Sequence, residues 1–458
     1  MADHLMRGVA DRVMRGLADV LITTFFRSVE VENVGSLPAR APTVVVAIHR
    51  NGLVDGLLLM AALPRYPRFL GKSTLFKIPP LWPFLKLAGV VPVYRAIDGG
   101  SRSTSQNTAT FSTSRRILGA GGVLAVFPEG ISHDAPSLQA LRTGTARIAL
   151  ETSIEEHVEE VSILPVGISY DAKARFRSRA LVRVGEPQPV WPLAPRYRAD
   201  PHGAVRALTD DIAGRLRAVV PDYRSWAEAA ELSLVAEIVT RHVGSSEPEV
   251  VTLARREELV RSLMAVVSGP EGVRRSEPLR TALARYRQEL ALLGLDDSHI
   301  ASSAGPAHRW TVLGWPVVKA VVATPVALVG TVVHIVPYEM VKRMAHIPDN
   351  DGMRATVKLL GCLAGFTTVY SVIARMVGKR LGRPMGALAF AIGPASGYVT
   401  VHFFERLQRI GGVVEATRLA RGRRATLTSL LASRAAVIEA AAALLSASPS
   451  LSGPNPSS

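Results

Sequence analysis

A histidine and an aspartate six positions apart are the first residues of this chain whose types suggest chemistry. They enclose the segment His49-Arg-Asn-Gly-Leu-Val-Asp55. A neutral histidine is a suitable general base near neutral pH, and a carboxylate beside it fixes the tautomer and stabilises the imidazolium that forms. Such a pair suits acylation of a hydroxyl, in which a base removes the hydroxyl proton while the oxygen attacks a thioester carbonyl.

The spacing of the pair restricts the backbone between its members. In a straight helix that starts at His49, six residues would place Asp55 about 120° around the axis, out of reach. The two side chains can meet if His49 ends a strand and a turn precedes the helix. Asn51-Gly52 is a strong turn pair, so the sequence predicts strand, turn and helix in this order.

Three further blocks carry groups that an acyl-transfer site could use. The segment Gly89–Arg95 is a predicted strand that ends in arginine, whose guanidinium can bind a phosphate through two hydrogen bonds. A second predicted strand ends in Glu129, and Gly130 after it lets the backbone approach a ligand. The apolar segment Ile163–Gly167 contains a proline, which is typical of an edge strand or a strand end.

Two other basic residues are candidates for binding an anionic substrate. Lys72 follows a predicted strand, and Arg142 precedes a predicted helix start, where backbone N–H groups also favour phosphate. The alternative for each is a solvated surface cation. The pair His133-Asp134 also lies near these blocks, and we expect it in a solvated loop rather than in a site.

Strand and helix signals alternate between residues 36 and about 220, which favours an α/β domain with a mixed, largely parallel sheet flanked by helices. Ligands of such sheets bind beyond the carboxyl ends of the strands, where the candidate residues lie. Helices are predicted near 53–63, 104–118 and 144–155, and strands at Val44–His49, Arg68–Lys72, Gly89–Arg95, Gly121–Glu129 and Val161–Ser169.

Composition indicates a membrane-associated protein with anionic partners. The chain has 458 residues and a formal net charge of +16, and its mean hydropathy of +0.21 is high for a purely soluble protein. No nucleic-acid-binding motif is present, so a lipid surface is the expected partner. With Cys362 as its one cysteine, no intramolecular disulfide can form, and we expect the catalytic domain to face the cytoplasm. The sequence predicts no metal site and no oligomeric state.

The C-terminal half contains three apolar segments, Val312–Pro337, Leu359–Ala374 and Met385–Phe404. The first is long enough to span a bilayer, which takes roughly 20 apolar residues. Basic residues occur in both connections between these segments and do not select a topology. A soluble domain with three buried helices is the alternative.

The chain is therefore divided into six predicted segments. The helix at its start places several apolar residues close to one face, which could lie on a membrane or pack on the protein's own core. These residues are Leu5, Val9, Val13, Leu17, Val20 and Leu21. The segments are a membrane-associating helix (1–35), an acyltransferase domain (36–221), a helical spacer (222–305), a membrane-embedded region (306–406), a basic helix (407–446) and a disordered tail (447–458).

The blocks around residues 40 to 190, in this order, resemble the glycerophospholipid acyltransferases of the PlsC-like superfamily. That family has a His-(four residues)-Asp block, a block ending in Arg, an F-P-E-G block and an apolar block with proline. Phe127-Pro-Glu-Gly130 is the clearest match. The resemblance implies that His49 is the general base, that Asp55 orients it, and that attack is direct without an acyl-enzyme.

The resemblance also implies the roles of the remaining residues. Arg95 would bind the substrate phosphate, while Glu129 and Gly130 would help to shape the acceptor site. Asn51, Lys72 and Arg142 complete the set of predicted substrate-binding residues.

One departure from the family pattern is the number of residues between the histidine and the aspartate, which is five here rather than four. This spacing resembles a branch that includes fungal-type glycerol-3-phosphate and dihydroxyacetone-phosphate acyltransferases. The implied donor is acyl-CoA or acyl carrier protein as co-substrate, without a cofactor. The implied acceptor is lysophosphatidate or glycerol 3-phosphate. A non-catalytic lipid-binding scaffold and an acyltransferase for another lysolipid are the alternatives.

Overall fold

In the structure, which is a computed structural model, the chain divides into two units. The first comprises Met1–Ser225 and Ile347–Leu359, and the second comprises Trp226–His346 and Leu360–Ser458. The residues described are 2–78, 81–94, 102–243, 252–268, 271–297, 306–347, 351–422 and 424–446. Arg95 and the predicted tail 447–458 lie outside them, and the boundaries of the predicted segments stay predictions.

One mixed sheet organises the first unit and contains eight strands among the described residues. The strands are β1 (Phe26–Glu32), β2 (Thr43–Ala47), β3 (Pro67–Lys72), β4 (Val91–Val93), β5 (Val123–Val126), β6 (Ser162–Tyr170), β7 (Ser178–Val184) and β8 (Gln188–Pro189). Their order is β1-β7-β6-β2-β5-β3-β4, with β8 beside β6. Only the pairs β6–β7 and β6–β8 are antiparallel among these strands, so the predicted α/β class with a mixed, largely parallel sheet is confirmed.

The five predicted strands all form, whereas β1, β7 and β8 were not predicted. Strand β1 pairs with β7 over a sequence separation of about 150 residues, as in the partners Val29 and Ala180. Such pairing depends on distant segments of the chain, and local alternation of residue types does not reveal it.

Helices cover both faces of this sheet. They are α1 (Ala2–Phe25), α2 (Leu53–Ala62), α3 (Trp82–Leu87), α4 (Arg102–Gly119), α5 (Gly144–Leu150), α6 (Ala194–Ala199) and α7 (Pro201–Val219). Because side chains alternate along a strand, Val45 and Ala47 of β2 enter the core shared with α1 and α2. Val44 and Val46 enter the core shared with α4, α5 and α7. This burial on both sides accounts for the unbroken apolar run of β2.

The apolar residues of helix α1 lie on two faces, one of which is buried and one of which is exposed. Ala18 and Ile22 are buried in the core of the first unit. Val9, Val13 and Val20, which the sequence places together, are exposed. Leu21 of the predicted face packs against this core, so the predicted face faces the core only in part, and its three valines stay exposed.

The start of a later helix completes the core of the first unit. Ala355 and Leu359 are buried in the same hydrophobic cluster as α1 and α2. The ammonium group of Lys358 donates a hydrogen bond of 2.6 Å to the carbonyl of Ala174. The sequence assigns these residues to the membrane-embedded region because their neighbours along the chain are apolar. Their contacts in the core are with residues far away along the chain, and the sequence alone does not reveal such contacts.

The described part of the second unit is helical. Its helices are α8 (Trp226–Val243), α9 (Leu253–Val267), α10 (Gly272–Arg275), α11 (Glu277–Leu293), α12 (Pro306–Met344), α13 (Asp351–Leu381, which begins in the first unit), α14 (Arg383–Gly422) and α15 (Arg424–Ser446). Four stretches in the described part are long and apolar enough to cross a membrane: Gly314–Met344, Arg354–Leu381, Arg383–Gln408 and Thr426–Ser446. The predicted apolar C-terminal helical region is thus confirmed.

The last of these stretches differs from the others in its packing. Helix α15 packs against α8, α9 and α11. Arg434 in its middle is buried, and its Nε donates to Asp297 Oδ1 at 2.9 Å while its Nη2 donates to the carbonyl of Ile238 at 3.1 Å. A buried charge needs such partners, and here they come from the protein itself.

Candidate active site

His49 lies just beyond the carboxyl end of β2, where its backbone is held on both sides. Its N–H donates a hydrogen bond of 2.9 Å to Glu129 Oε2. Its carbonyl accepts a hydrogen bond of 3.1 Å from the N–H of His133. Because β2 runs parallel to β5, the two chain segments leave the sheet at the same edge, which brings these residues together.

The imidazole of His49 is also fixed. Its Nδ1 lies 3.0 Å from Asp55 Oδ2, as the sequence predicts. Phe127 stacks on the ring, with centroids 4.1 Å apart and an angle of 15° between the planes. The His49 side chain is 21% exposed, whereas that of Asp55 is 0% exposed. The base is therefore accessible, and its carboxylate partner is shielded from water.

The predicted turn between these residues is present. Gly52 has a φ of 53°, which glycine adopts without steric cost, and the helix begins at the next residue, Leu53. Asp55 therefore stands in the first turn of the helix, where a negative charge is favoured. Its Oδ2 also accepts a hydrogen bond of 2.7 Å from the N–H of Asn51, which closes the turn.

Asp55 receives a further hydrogen bond from Tyr170, whose hydroxyl contacts Oδ1. Together with the backbone of Asn51 and the ring of His49, this gives the carboxylate three donors. An ionised carboxylate only accepts hydrogen bonds, so the network assigns the proton of neutral His49 to Nδ1. Its Nε2 then carries the lone pair that a general base requires.

Tyr170 is a site residue that sequence reasoning missed. It is the last residue of β6, one position beyond the predicted strand. Strand β6 lies beside β2 in the sheet, with Ala47 opposite Val166, so Tyr170 emerges near His49. The signal available in the sequence was its place at a strand end; its contact with Asp55 spans 115 positions.

Glu129 is an internal anchor whose contacts are with the protein. It is 2% exposed, and its Oε1 accepts hydrogen bonds from His133 Nε2 at 2.7 Å and from the N–H of Gln139 at 2.9 Å. Burial raises the pKa of the Glu129 carboxyl, but the hydrogen bonds from His133, His49 and Gln139 outweigh burial and lower this pKa below its usual value. Glu129 thus shapes the site by holding the strand end that carries His49.

The expectation of a solvated loop at His133 is wrong. This residue is 8% exposed, and its Nδ1 accepts a hydrogen bond of 3.1 Å from the N–H of Ala135. Since Nδ1 accepts, Nε2 carries the proton that His133 donates to Glu129. The neighbouring Asp134 forms an ion pair with Lys173.

Gly130, the last residue of the F-P-E-G block, lies beside Arg142. Gly130 has a φ of 71°, a left-handed conformation that other residues rarely adopt. A Cβ atom at this position would lie 3.5 Å from Cγ of Arg142. The backbone N–H of Arg142 donates to the carbonyl of Pro128 at 2.7 Å, and its side chain is exposed.

Asn51 is fully buried and joins the catalytic turn to the segment after β6. Its Nδ2 donates a hydrogen bond of 3.1 Å to the carbonyl of Lys173. Lys173 Nζ in turn donates to the carbonyl of Arg50 at 3.3 Å. The described contact of the Asn51 side chain is therefore with another segment of the protein.

Arg50 is a second residue near the base that sequence reasoning missed. It is 8% exposed, and its Nη2 donates a hydrogen bond of 2.7 Å to the carbonyl of Pro136. Burial lowers the pKa of Arg50, while the charges of Glu129 and other groups nearby act in the opposite direction. The residue that follows His49 in the chain is therefore a buried arginine with a positive charge.

Lys72, the remaining basic candidate within the described residues, lies towards the other edge of the sheet. Lys72 is the last residue of β3, which is separated from β2 by β5. Arg95 lies outside the described residues. The residue before it, Tyr94, is held by Asn107, whose Oδ1 accepts from the N–H of Tyr94 at 3.0 Å and whose Nδ2 donates to its carbonyl at 2.7 Å.

A cavity of about 780 Å³ lies along strand β4, and its walls include Arg7, Arg68, Lys86 and Arg116. Neither His49 nor Asp55 lines it. The convergence of polar groups around His49, rather than this cavity, therefore defines the candidate active site.

Comparisons with known proteins find relatives of part of this chain. Residues 28–169 match the model of the Acyltransferase family. An uncharacterized acyltransferase of Schizosaccharomyces pombe is 31% identical over 205 residues, which is 43% of this chain and 28% of that protein. Glycerol-3-phosphate O-acyltransferase 2 of Saccharomyces cerevisiae is 36% identical over 121 residues, which is 26% of this chain and 16% of that protein.

A solved structure is also similar in part. The 1-acyl-sn-glycerophosphate acyltransferase PlsC of Thermotoga maritima gives a TM-score of 0.35 at 18% identity, over 46% of this chain and 79% of that chain. The chain spans less than a third of the length of either yeast relative. Residues 28–169 therefore match the Acyltransferase family, and the predicted resemblance to acyltransferases that include the fungal glycerol-3-phosphate type is confirmed.

Proposed function

We propose that this protein transfers a fatty acyl group from acyl-CoA or acyl carrier protein to a hydroxyl of lysophosphatidate or glycerol 3-phosphate in phospholipid biosynthesis. The observation that carries the proposal is the state of His49. Its backbone and its Nδ1 are held by Glu129, His133 and Asp55, while its side chain stays 21% exposed. This arrangement leaves Nε2 as the atom that can take a proton from a bound hydroxyl.

The reaction follows from that tautomer. His49 Nε2 removes the hydroxyl proton while the hydroxyl oxygen attacks the thioester carbonyl carbon, and a C–O bond forms. Asp55 stabilises the imidazolium through Nδ1. When the tetrahedral intermediate collapses, the C–S bond breaks and the imidazolium returns the proton to the leaving sulfur. No acyl-enzyme forms, and no cofactor takes part in the scheme.

Basic residues around the carboxyl edge of the sheet would bind the phosphate of the acceptor. The proposed ligands are Arg95, Lys72 and Arg142. Arg142 is exposed beside the left-handed Gly130, where a ligand can approach the backbone closely. Arg95 follows directly on Tyr94, whose backbone is fixed by two hydrogen bonds. A guanidinium can bind a phosphate through two parallel hydrogen bonds.

The comparisons support this substrate class. Two of the relatives are glycerol-3-phosphate O-acyltransferases of Saccharomyces cerevisiae, one of them 35% identical over 99 residues. The family match covers residues 28–169, the segment that holds the candidate site.

The alternative from another class is a lipid-binding scaffold without activity. The geometry argues against it, since a scaffold has no need of a histidine fixed by Asp55 and Phe127 with one nitrogen left accessible. A nearer alternative is the same reaction on another lysolipid. The buried carboxylate of Asp55 orients His49 in the same way for any hydroxyl acceptor, so an assay has to identify the substrate.

Membrane association is supported by the apolar helical stretches Gly314–Met344, Arg354–Leu381 and Arg383–Gln408 and by the exposed apolar face of α1. We propose that residues 306–406 are embedded in the membrane and that the catalytic domain faces the cytoplasm. Protease treatment of sealed inside-out membranes would test the orientation. Cleavage within 36–221 is expected there, and protection in these membranes with cleavage in right-side-out ones would contradict it.

The proposed reaction is tested with the purified protein in detergent or in lipid vesicles. Labelled acyl-CoA or acyl carrier protein serves as donor, and lysophosphatidate, glycerol 3-phosphate and a neutral lysolipid serve as acceptors. Transfer to one phosphate acceptor, lost in His49→Ala, would support the proposal. Preference for the neutral lysolipid would favour the nearer alternative, and absence of transfer with every pair would favour the scaffold.

A further inference from the structure

Asp55 has two oxygen atoms, and the His-Asp pair of the proposed function uses only one. Oδ2 faces His49 and the backbone of Asn51. Oδ1 lies on the other side of the carboxylate, where the hydroxyl of Tyr170 donates to it. Because Asp55 is 0% exposed, water cannot replace this donor.

The position of the hydroxyl is determined by packing around the Tyr170 ring. The ring stacks on Phe26, with centroids 5.7 Å apart and 25° between the planes. Phe26 is 1% exposed and opens strand β1. The backbone of Tyr170 is paired with Ala180 of β7. Ring and backbone are thus both fixed, and the hydroxyl is held towards Asp55 rather than towards solvent.

We propose that Tyr170 is a positioning residue of the acyl-transfer site, which acts on His49 through the carboxylate of Asp55. This inference rests on the proposed function. By holding Oδ1, the hydroxyl fixes the plane of the carboxylate so that Oδ2 faces His49 Nδ1. It also disperses part of the carboxylate charge, because a hydrogen bond to an ionised acceptor is a strong one.

Two electrostatic features keep this arrangement in place over the working pH range. Burial raises the pKa of Tyr170 well above its usual value, and the charge of Asp55 acts in the same direction, so the phenol stays protonated and remains a donor. Arg50 is a further charged group that interacts electrostatically with Asp55. Its charge does not change over this range.

The substitution Tyr170→Phe tests the proposal because it removes the hydroxyl and keeps the ring on Phe26. We expect kcat to fall about tenfold with the Michaelis constants of both substrates unchanged, since a hydrogen bond to a buried charge is lost. Without this donor, Asp55 holds the imidazolium proton more tightly, so the acid limb of the pH–rate profile should move to higher pH. A role in folding alone would lower the activity equally at all pH values.

Tyr66→Phe is the matched control. Tyr66 belongs to the same unit, and within the described residues its hydroxyl makes long contacts of 3.5 Å, to Met60 and to the carbonyl of Ala88. This variant should keep the kcat and the pH profile of the parent protein. A Tyr170→Phe variant with the same kcat and the same acid limb as Tyr66→Phe would overturn the proposal.

A second readout does not depend on acyl transfer. Diethyl pyrocarbonate modifies neutral imidazole, and mass spectrometry gives the rate at His49 relative to the exposed His202. In Tyr170→Phe, the pH dependence at His49 should move to higher pH while that at His202 stays unchanged. If the pH dependence of modification at His49 is the same in Tyr170→Phe and Tyr66→Phe, Tyr170 does not act on His49. This result does not require acyl transfer, so failure of this inference and failure of the proposed function are distinguishable.

Discussion

The Glu129 carboxylate accepts a hydrogen bond from the backbone N–H of His49 at 2.9 Å, across 80 residues of sequence. The acidic residue of the F-P-E-G block therefore holds the strand end from which the proposed base projects. Glu129 has no exposed carboxylate to offer, since its other oxygen is occupied by His133 and Gln139. The block supports the geometry of the site from inside the protein.

Replacing His49 by alanine tests the general base. We expect turnover to fall by roughly two to four orders of magnitude, which is the usual contribution of general-base catalysis, while the protein remains in the membrane. The measurement is the initial rate of labelled acyl transfer at saturating substrates. His202→Ala, at an exposed position of the same unit, is the control and should keep the parent rate. Equal rates in the two variants would exclude His49 as the base.

Asp55→Asn tests the tautomer that the network assigns. The amide keeps the size of the side chain but can donate to His49 Nδ1, which favours the tautomer with the proton on Nε2. We expect kcat to fall by on the order of 10²- to 10⁴-fold with little change in the Michaelis constants. The kinetic constants with the best acceptor provide the measurement. A loss confined to substrate affinity would contradict the orienting role.

Glu129→Gln should reduce stability in a pH-dependent manner. The folded protein holds the pKa of Glu129 below its unfolded value, so the stabilisation is fully present above about pH 4.3 and is lost as pH falls through the folded value. At pH 7 we expect a loss of about 1–3 kcal/mol, because hydrogen bonds to a buried charge are weakened.

Thermal unfolding midpoints in detergent, measured between pH 7 and pH 3.5, test this prediction. The difference in unfolding midpoint between the parent protein and Glu129→Gln, here called the gap, should become smaller towards pH 3.5. Glu186→Gln changes an exposed carboxylate of the same unit and should show no gap. A gap that widens on acidification would show the opposite sign of the pKa shift.

Leu359→Ala tests whether the start of the helix Asp351–Leu381 belongs to the core of the first unit. Leu359 is 4% exposed within the cluster that includes Ala355, whereas the next residue, Leu360, is 36% exposed. Removing the buried side chain should cost about 2–4 kcal/mol and lower the unfolding midpoint. Leu360→Ala should have little effect, and similar midpoints for the two variants would contradict this packing.

Arg95→Ala tests the proposed grip on the acceptor phosphate. We expect the Michaelis constant of the phosphate acceptor to rise at least tenfold, while that of acyl-CoA stays the same, because a bidentate contact to one substrate is lost. Arg196→Ala, at an exposed site on a short helix, is the control. An unchanged acceptor constant in Arg95→Ala would remove this residue from the site.

The sequence by itself determined the outline of the α/β domain and, through the order of its blocks, the resemblance to the acyltransferase family that residues 28–169 match. Short runs of apolar and β-branched residues predicted the five strands that carry the site blocks, because a strand that is buried on both faces of a sheet keeps few polar side chains. The turn Asn51-Gly52 predicted how His49 and Asp55 meet, because the required backbone conformation is accessible to glycine. Long apolar stretches likewise predicted the C-terminal helices.

Tertiary structure alone decided which distant residues support the pair. Tyr170 and His133 reach the site through the parallel order of β2, β5 and β6 and the loops after them, and no local pattern encodes contacts over 80 to 115 positions. The same holds for Leu359, whose apolar side chain suits a membrane and a protein core equally well. Hydrophobicity determines that a residue is removed from water, and only the packed fold determines which neighbours cover it.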